Sequence, residues 1–291
     1  MDSNGGDDMG KVRIVTDSTS DIPVEVRRRL GIEMIPLRVL FGEEAFLDAV
    51  TIEPEQLFAK IQSSSTFPTT SQPSPVEFEE VYERLLSESP HSPIISIHLA
   101  SVLSGTYQSA RIASSAFEER DITVVNSCSA SYGIGMLVVK AAEMAEAGSS
   151  RDEILAEIDR LRKDTQVFFL VDTLEFLQKG GRIGKASALI GSILNIKPIL
   201  SLDSDGTVFP TDKVRGSKKA IGRITELLKQ SFGDDPVRVI LAWTDSQPPA
   251  MELGERVKAE LNVQEIGYTT VGSVIGLHAG PGTSAVFVNR V

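Results

Sequence analysis

Short β-branched runs alternate with amphipathic stretches through the first half of the chain, and this alternation constrains the fold more than any other feature. The runs are VRIVT at 12–16, EMIPLRVL at 33–40, PIISIHL at 93–99 and ITVVN at 122–126. Between and after them, 23–30, 53–61, 75–86, 106–117 and 132–147 place apolar residues at helical spacing. Strands that alternate with helices predict a parallel sheet, because each crossover lays a helix over a sheet face. The punctuation agrees: Asp21 stands near Pro23, and Ser74 precedes Pro75 and Glu77, as helix N-termini require.

A helix at 151–163 and a strand at 166–171 lead into a second block of different texture. There FLQKGGRIGKASALIGSILNIKPILSLDSDGTV reads as helix, Gly-rich turn, apolar helix, strand and a hairpin at Asp205-Gly206. Strands at 237–242 and 284–288 and helices at 214–231 and 248–261 complete it. The charge-free stretch Ile266 to Val288 is long enough to span a bilayer. Its glycines at 267, 272, 276, 280 and 282, with Pro281, make it a buried strand, a loop and a strand instead. The expected organisation is α/β: a polar, disordered leader over 1–10, a parallel-sheet domain over 11–165 and a second α/β domain over 166–291, with a shared cleft.

Hydroxyl-rich loops carry the functional signal. They are TDSTSD at 16–21, TFPTTSQPSP at 66–75, SVLSGTYQSA at 101–110 and NSCSAS at 126–131, and three of them directly follow expected strands. In an open parallel sheet, ligands sit beyond the carboxyl ends of the strands. Hydroxyls and helix N-termini there donate to a carboxylate or a phosphate, and the residues leave that choice open. Each loop also has a plainer reading, as a turn whose short polar side chains satisfy its own backbone. Thr69 and Thr70 stand among three prolines. Ser104, Gly105 and Thr106 open an expected helix, where Gly105 would let a ligand approach the backbone. His278 falls in a Gly-rich segment, GLHAGPG, and Arg182 in KGGRIGK at 179–185. The fixed fork of Arg182 suits a carboxylate, although pairing with a surface acid would explain it as well.

Other functions are excluded by what these motifs lack. The Walker pattern needs one more residue between Gly180 and its second glycine and a Ser or Thr after the lysine, where Ala186 stands. GxGxxG and GxSxG are absent. A formal net charge of −11 argues against nucleic acid and weighs against anionic membrane surfaces. The single cysteine, Cys128, excludes an internal disulfide, and no Cys/His cluster has zinc-ligand spacing, so neither metal nor cofactor is expected and a cytoplasmic setting is. Ser104, His278 and Asp17 can be assembled as a triad on paper, which keeps a serine-type lipid hydrolase as the alternative.

Taken together, TDSTSD, TTSQPSP, LSGTYQSA, VDTLEFLQKGGRIG, LNIKPIL, KVRGSKKA and IGLHAGPG resemble the DegV family of bacterial fatty-acid-binding proteins, from about residue 12 to the C-terminus. The resemblance implies a two-domain α/β protein holding one long-chain fatty acid. It implies carboxylate contacts from Thr70, Ser104 and His278 with support from Arg182, and Thr69, Gly105 and Thr106 are expected as ligand-binding residues beside them. It also implies a non-catalytic protein that presents the acyl chain to a fatty acid kinase for acyl-phosphate formation and phospholipid synthesis, with at most transient membrane contact; a fatty-acid sensor without a kinase is the other possibility. Phe67, Phe168, Phe169 and Ile275, with Leu189, Ile190, Ile193, Leu194 and Ile196, are the expected tunnel-lining residues, core packing being the alternative for each.

Overall fold

Residues 10–191 and 196–291 are described by the structure, a computed structural model. The leader expected over 1–10 therefore lies, except for Gly10, outside the described residues.

The chain enters through β1 (Arg13–Asp17), crosses α1 (Val24–Leu30) and returns in β2 (Glu33–Ile35). The expected strand 33–40 then divides: β3 (Arg38–Phe41) leaves the first sheet and pairs antiparallel with β4 (Glu44–Leu47) and, past α2 (Pro54–Ser63), with β5 (Thr69–Ser71). Pro36 sits at the break, where it has no N–H to give a ladder. Leu37 instead donates its N–H to Ser18 Oγ at 3.1 Å.

Next come α3 (Pro75–Glu88), β6 (Ile94–His98), α4 (Thr106–Ser114), β7 (Ile122–Asn126), α5 (Tyr132–Glu146) and α6 (Arg151–Asp164). The order β2-β1-β6-β7 is parallel throughout. One face packs Ile95 and Ile97 against Ile134, Leu137 and Val138 of α5. The other packs Val15 and Ile94 against Phe78, Tyr82 and Ala110 of α3 and α4. Helices α3 and α6 begin with the Ser74–Glu77 and Ser150–Glu153 capping boxes.

The rest of the chain runs β8 (Gln166–Leu170), α7 (Glu175–Lys179), β9 (Ile196–Leu202), β10 (Val208–Arg215), α8 (Ser217–Phe232), β11 (Val237–Trp243), α9 (Pro248–Glu260), β12 (Val263–Thr270), α10 (Ser273–Ala279) and β13 (Ser284–Arg290). Its six-stranded sheet has the order β10-β9-β8-β13-β11-β12, mixed because only β11 and β12 are parallel. Side chains alternate along each strand, and that sorts the residues near the cleft. Phe168, Leu170, Val286 and Val288 face α8 and α9. Val167, Ala285 and Phe287 face Met136 of α5, with Phe169 and Tyr132 packed alongside.

Two expectations need correction here. The apolar helix expected after the Gly-rich turn is, where described, a single 3-10 stretch at Gly184–Leu189, bracketed by Gly184 and Gly191 at φ +50° and +78°. The segment between the last two strands is not loop alone, because α10 occupies most of it and places His278 in a helical turn. This helix packs Val274 and Leu277 against Leu37, Val39, Leu57 and Phe58.

Candidate functional site

Between the inner face of the six-stranded sheet and the carboxyl ends of the parallel strands lies a cavity whose void, mouth included, is about 930 Å³. Its walls are mainly apolar: Leu99 and Leu103 from the segment after β6, Val167, Phe169, Ala285 and Phe287 from the six-stranded sheet. Four polar side chains expected from the sequence also line it, namely Thr70, Ser104, Arg182 and His278. They come from β5, the loop before α4, the turn after α7 and the last turn of α10.

His278 Nε2 lies 2.9 Å from Thr70 Oγ1, a hydrogen bond across 208 positions of sequence. The imidazole Nδ1 is buried without a partner. A side chain on Gly180 would place its Cβ 2.1 Å from Nδ1, so only glycine lets this turn lie against the ring. Burial, and then the Arg182 guanidinium nearby, push the imidazole down from 6.5 to about 4. The ring is therefore neutral at pH 7. Among the described residues Arg182 bonds no carboxylate: its Nε donates to Leu103 O at 3.1 Å and its Nη1 to Gly180 O at 2.7 Å. It thus ties the residue before Ser104 to the turn that touches His278.

Ser104 Oγ lies 2.9 Å from Thr106 Oγ1 and accepts the Thr106 N–H at 3.3 Å. Thr106 itself is fully buried and stands behind the wall. The space over Gly105 is occupied by the chain's own Gln72, whose Nε2 would lie 2.4 Å from a Cβ placed there. Thr69 alternates with Thr70 on β5 and is exposed. Among the described residues, Thr69, Gly105 and Thr106 do not line the cavity; Gln72, Leu37 and Ser131, which sequence reasoning did not single out as contacts, do. Pairing of Val39 with Thr70 brings the Gln72 segment there, a long-range event with no local signal.

Of the expected tunnel residues, Phe169 and Ile275 line the cavity. Phe168 points into the opposite core, and Phe67 stacks edge-on with Phe176 at 5.6 Å. Leu189, Ile190 and Ile196 border a separate cleft beside α7. Ile193 and Leu194 lie outside the described residues.

TDSTSD turns inward. Asp17 accepts hydrogen bonds from the Thr19 hydroxyl, from Thr19 N at 3.0 Å, from Leu99 N at 3.1 Å and, at 2.9 Å, from His98 Nδ1. His98 Nε2 meets Ser96 Oγ at 2.6 Å, and Ser96 accepts from Tyr82 at 2.8 Å. Every member of this relay from Tyr82 to Asp17 is fully buried. The paper triad is not assembled, since Asp17 is bonded to His98 rather than His278. Burial raises the Cys128 thiol, the reverse of what an activated nucleophile needs.

A family model described as "uncharacterised protein, DegV family" matches residues 11–290. This chain belongs to the DegV family. A DegV domain-containing protein of Caldanaerobacter subterraneus is 39% identical over 280 residues, covering 96% of this chain and 99% of the relative. Two solved DegV structures superpose closely. One, described as showing fatty acid binding by a Thermus thermophilus DegV protein, has a TM-score of 0.92 at 39% identity and covers 97% of this chain and 100% of its own. The other, described as DegV, a fatty acid binding protein from Bacillus subtilis, has a TM-score of 0.87 at 35% identity and covers 97% and 99%. The α/β architecture with its parallel and mixed sheets is thus the DegV fold. Among the described residues no helix is long and apolar enough to cross a membrane, and no group of three or more His, Cys, Asp or Glu could hold a metal ion.

Proposed function

We propose that this DegV protein binds one long-chain fatty acid, its tail in the apolar cavity and its carboxylate against Thr70, Ser104 and His278. The observation that carries this reading is the meeting of those side chains on the wall of a mainly apolar cavity. Burying an alkyl tail is worth roughly 0.8 kcal/mol per methylene, so the walls supply most of the affinity and the polar end fixes the orientation. With His278 neutral, a proton on Nε2 is shared between Thr70 Oγ1 and a carboxylate oxygen, and the Thr70 hydroxyl proton is free for the same carboxylate. Nδ1, unpartnered and packed against the Gly180 turn, is then the bare nitrogen.

Neutral donors also suit presentation to a partner fatty acid kinase, which is the second part of the proposal. A carboxylate held by hydroxyls can become an acyl phosphate without first breaking a buried ion pair. In this reading the protein is non-catalytic, carries no cofactor, acts in the cytoplasm and feeds phospholipid synthesis. In this reading the chain has two domains with a boundary near residue 165, a division supported by β8 opening the six-stranded sheet just after it.

Organic extraction of purified protein followed by mass spectrometry tests the binding. One equivalent of intact fatty acid is expected; protein that carries none and takes up no added palmitate would refute it. Incubation with a fatty acid kinase and ATP tests presentation, with acyl phosphate as the readout. Ester hydrolysis abolished by Ser104→Ala would instead establish the hydrolase.

A further inference from the structure

Helix α10 starts inside the protein, where its first N–H groups need acceptors. Gly272, at its N-cap, has no side chain to offer. The first domain supplies the acceptor instead: Asp48, just after β4, takes the Ser273 N–H at 2.9 Å through Oδ1. Asp21 lies beside it, so close that a Cβ on Gly272 would fall 2.6 Å from its Oδ1. The Gly272 and Val274 amides face Asp21 and Asp48 respectively and partly offset the burial of the two acids.

These carboxylates are costly to keep. Asp48 is fully buried and Asp21 nearly so, and each retains one oxygen without a hydrogen-bond partner. No cation offsets them by a salt bridge among the described residues. An apolar pair of similar volume would serve stability better, so the fold obtains something else from them. What they touch indicates what that is. Asp21, itself at φ +51°, accepts from Ser131 Oγ at 2.5 Å, and Ser131 lies on the cavity wall at φ +54°, ψ −142°, a conformation few non-glycine residues adopt. One continuous set of contacts therefore runs from the cavity wall through Asp21 and Asp48 to the start of the helix that ends in His278.

Ser273 and His278 are five residues apart, roughly 7.5 Å along a helix axis. So short a helix moves as a rigid piece. A displacement of about 1 Å at its start would carry the imidazole out of hydrogen-bond range of Thr70. We propose that Asp48, with Asp21 beside it, is a positioning residue for the head-group site, holding the N-terminus of α10 so that His278 meets Thr70 and the ligand carboxylate. The ligand part of this statement rests on the fatty-acid reading of the cavity.

The experiment compares full-length, lipid-stripped wild type with Asp48→Ala and Asp48→Asn, using ring ¹⁵N NMR of the histidines and titration with palmitate. The sequence holds only His91, His98 and His278, so His278→Gln assigns the signals by subtraction. Asp48→Ala is expected to move the His278 ring signals, leave those of His98 in place and weaken palmitate at least about tenfold, the scale of one lost hydrogen bond. Asp48→Asn keeps a carbonyl acceptor and should restore both readouts. Unchanged His278 signals and palmitate affinity in a folded Asp48→Ala protein, whatever its melting temperature, would overturn the proposal. Should the alanine variant not fold, Asp48→Ser, whose hydroxyl falls short of α10, takes its place against Asp48→Asn with the same outcomes. Wild type that ignores palmitate would refute the fatty-acid reading alone, because the His278 spectrum still decides whether Asp48 positions the ring.

Discussion

Acid should weaken this protein through His278, and a single substitution isolates the effect. The folded state holds the imidazole at about 4 against an ordinary value of 6.5. A group whose folded value is depressed favours folding while deprotonated, so the contribution is whole above 6.5 and is lost as pH falls towards 4. The difference of about 2.5 pH units, at ~1.36 kcal/mol each, sets an upper bound near 3 kcal/mol, of which about 2 kcal/mol has gone by pH 5. His278→Gln removes the titration while keeping an amide able to reach Thr70. Urea denaturation of lipid-stripped wild type and variant at pH 7.5 and pH 5.0 supplies the numbers. Wild type should lose about 2 kcal/mol more than the variant over this interval. Palmitate should shrink the gap, since a carboxylate beside the ring favours its protonated form. Equal losses in the two proteins would refute the reasoning, because an imidazole open to water has no such dependence.

Asp48 should show the opposite sign: burial raises its carboxyl from 3.8 to about 6, so its ionisation costs stability as pH climbs through that interval. Asp48→Asn should therefore gain on wild type by up to ~3 kcal/mol between pH 4 and 7.5 in urea titrations, and a constant difference would count against the buried acid. Asp17→Ala strands His98, Thr19 and the Leu99 N–H together; a loss of about 3–5 kcal/mol is expected by denaturation, and a loss under about 1 would contradict the relay's structural role. Ile275→Trp should fill the cavity and abolish palmitate uptake while the far-ultraviolet circular dichroism stays that of wild type; undiminished uptake would move the tail elsewhere.

The local grammar of the fold was legible because it depends on neighbours in sequence. The Ser74 box closes within three residues, and β1, β6 and β7 are β-branched runs that stay extended when both faces are covered. What failed did so where distant partners decide. EMIPLRVL reads as one strand until Pro36 divides it between two sheets, and GLHAGPG reads as loop until Asp48, 225 positions away, caps Ser273. Phe168 and Phe169 are equivalent in the sequence, and the register of β8 against β13 sends one to the helices and the other to the cavity.

The sequence by itself determined the parallel-sheet half, the hydroxyl-rich loops after its strands, the absence of a nucleotide-binding motif and the family to which the chain belongs. These follow from residue type and short spacing. Only the tertiary structure decided which hydroxyls face a ligand and which face the protein, turning TDSTSD into a buried relay while Thr70 and Ser104 stayed on the wall. It also decided that His278 is neutral. Hydrogen bonding and desolvation depend on what lies within a few ångströms, and at this site those neighbours come from β5, the Gly180 turn and α10, up to 208 positions apart along the chain and brought together only by folding.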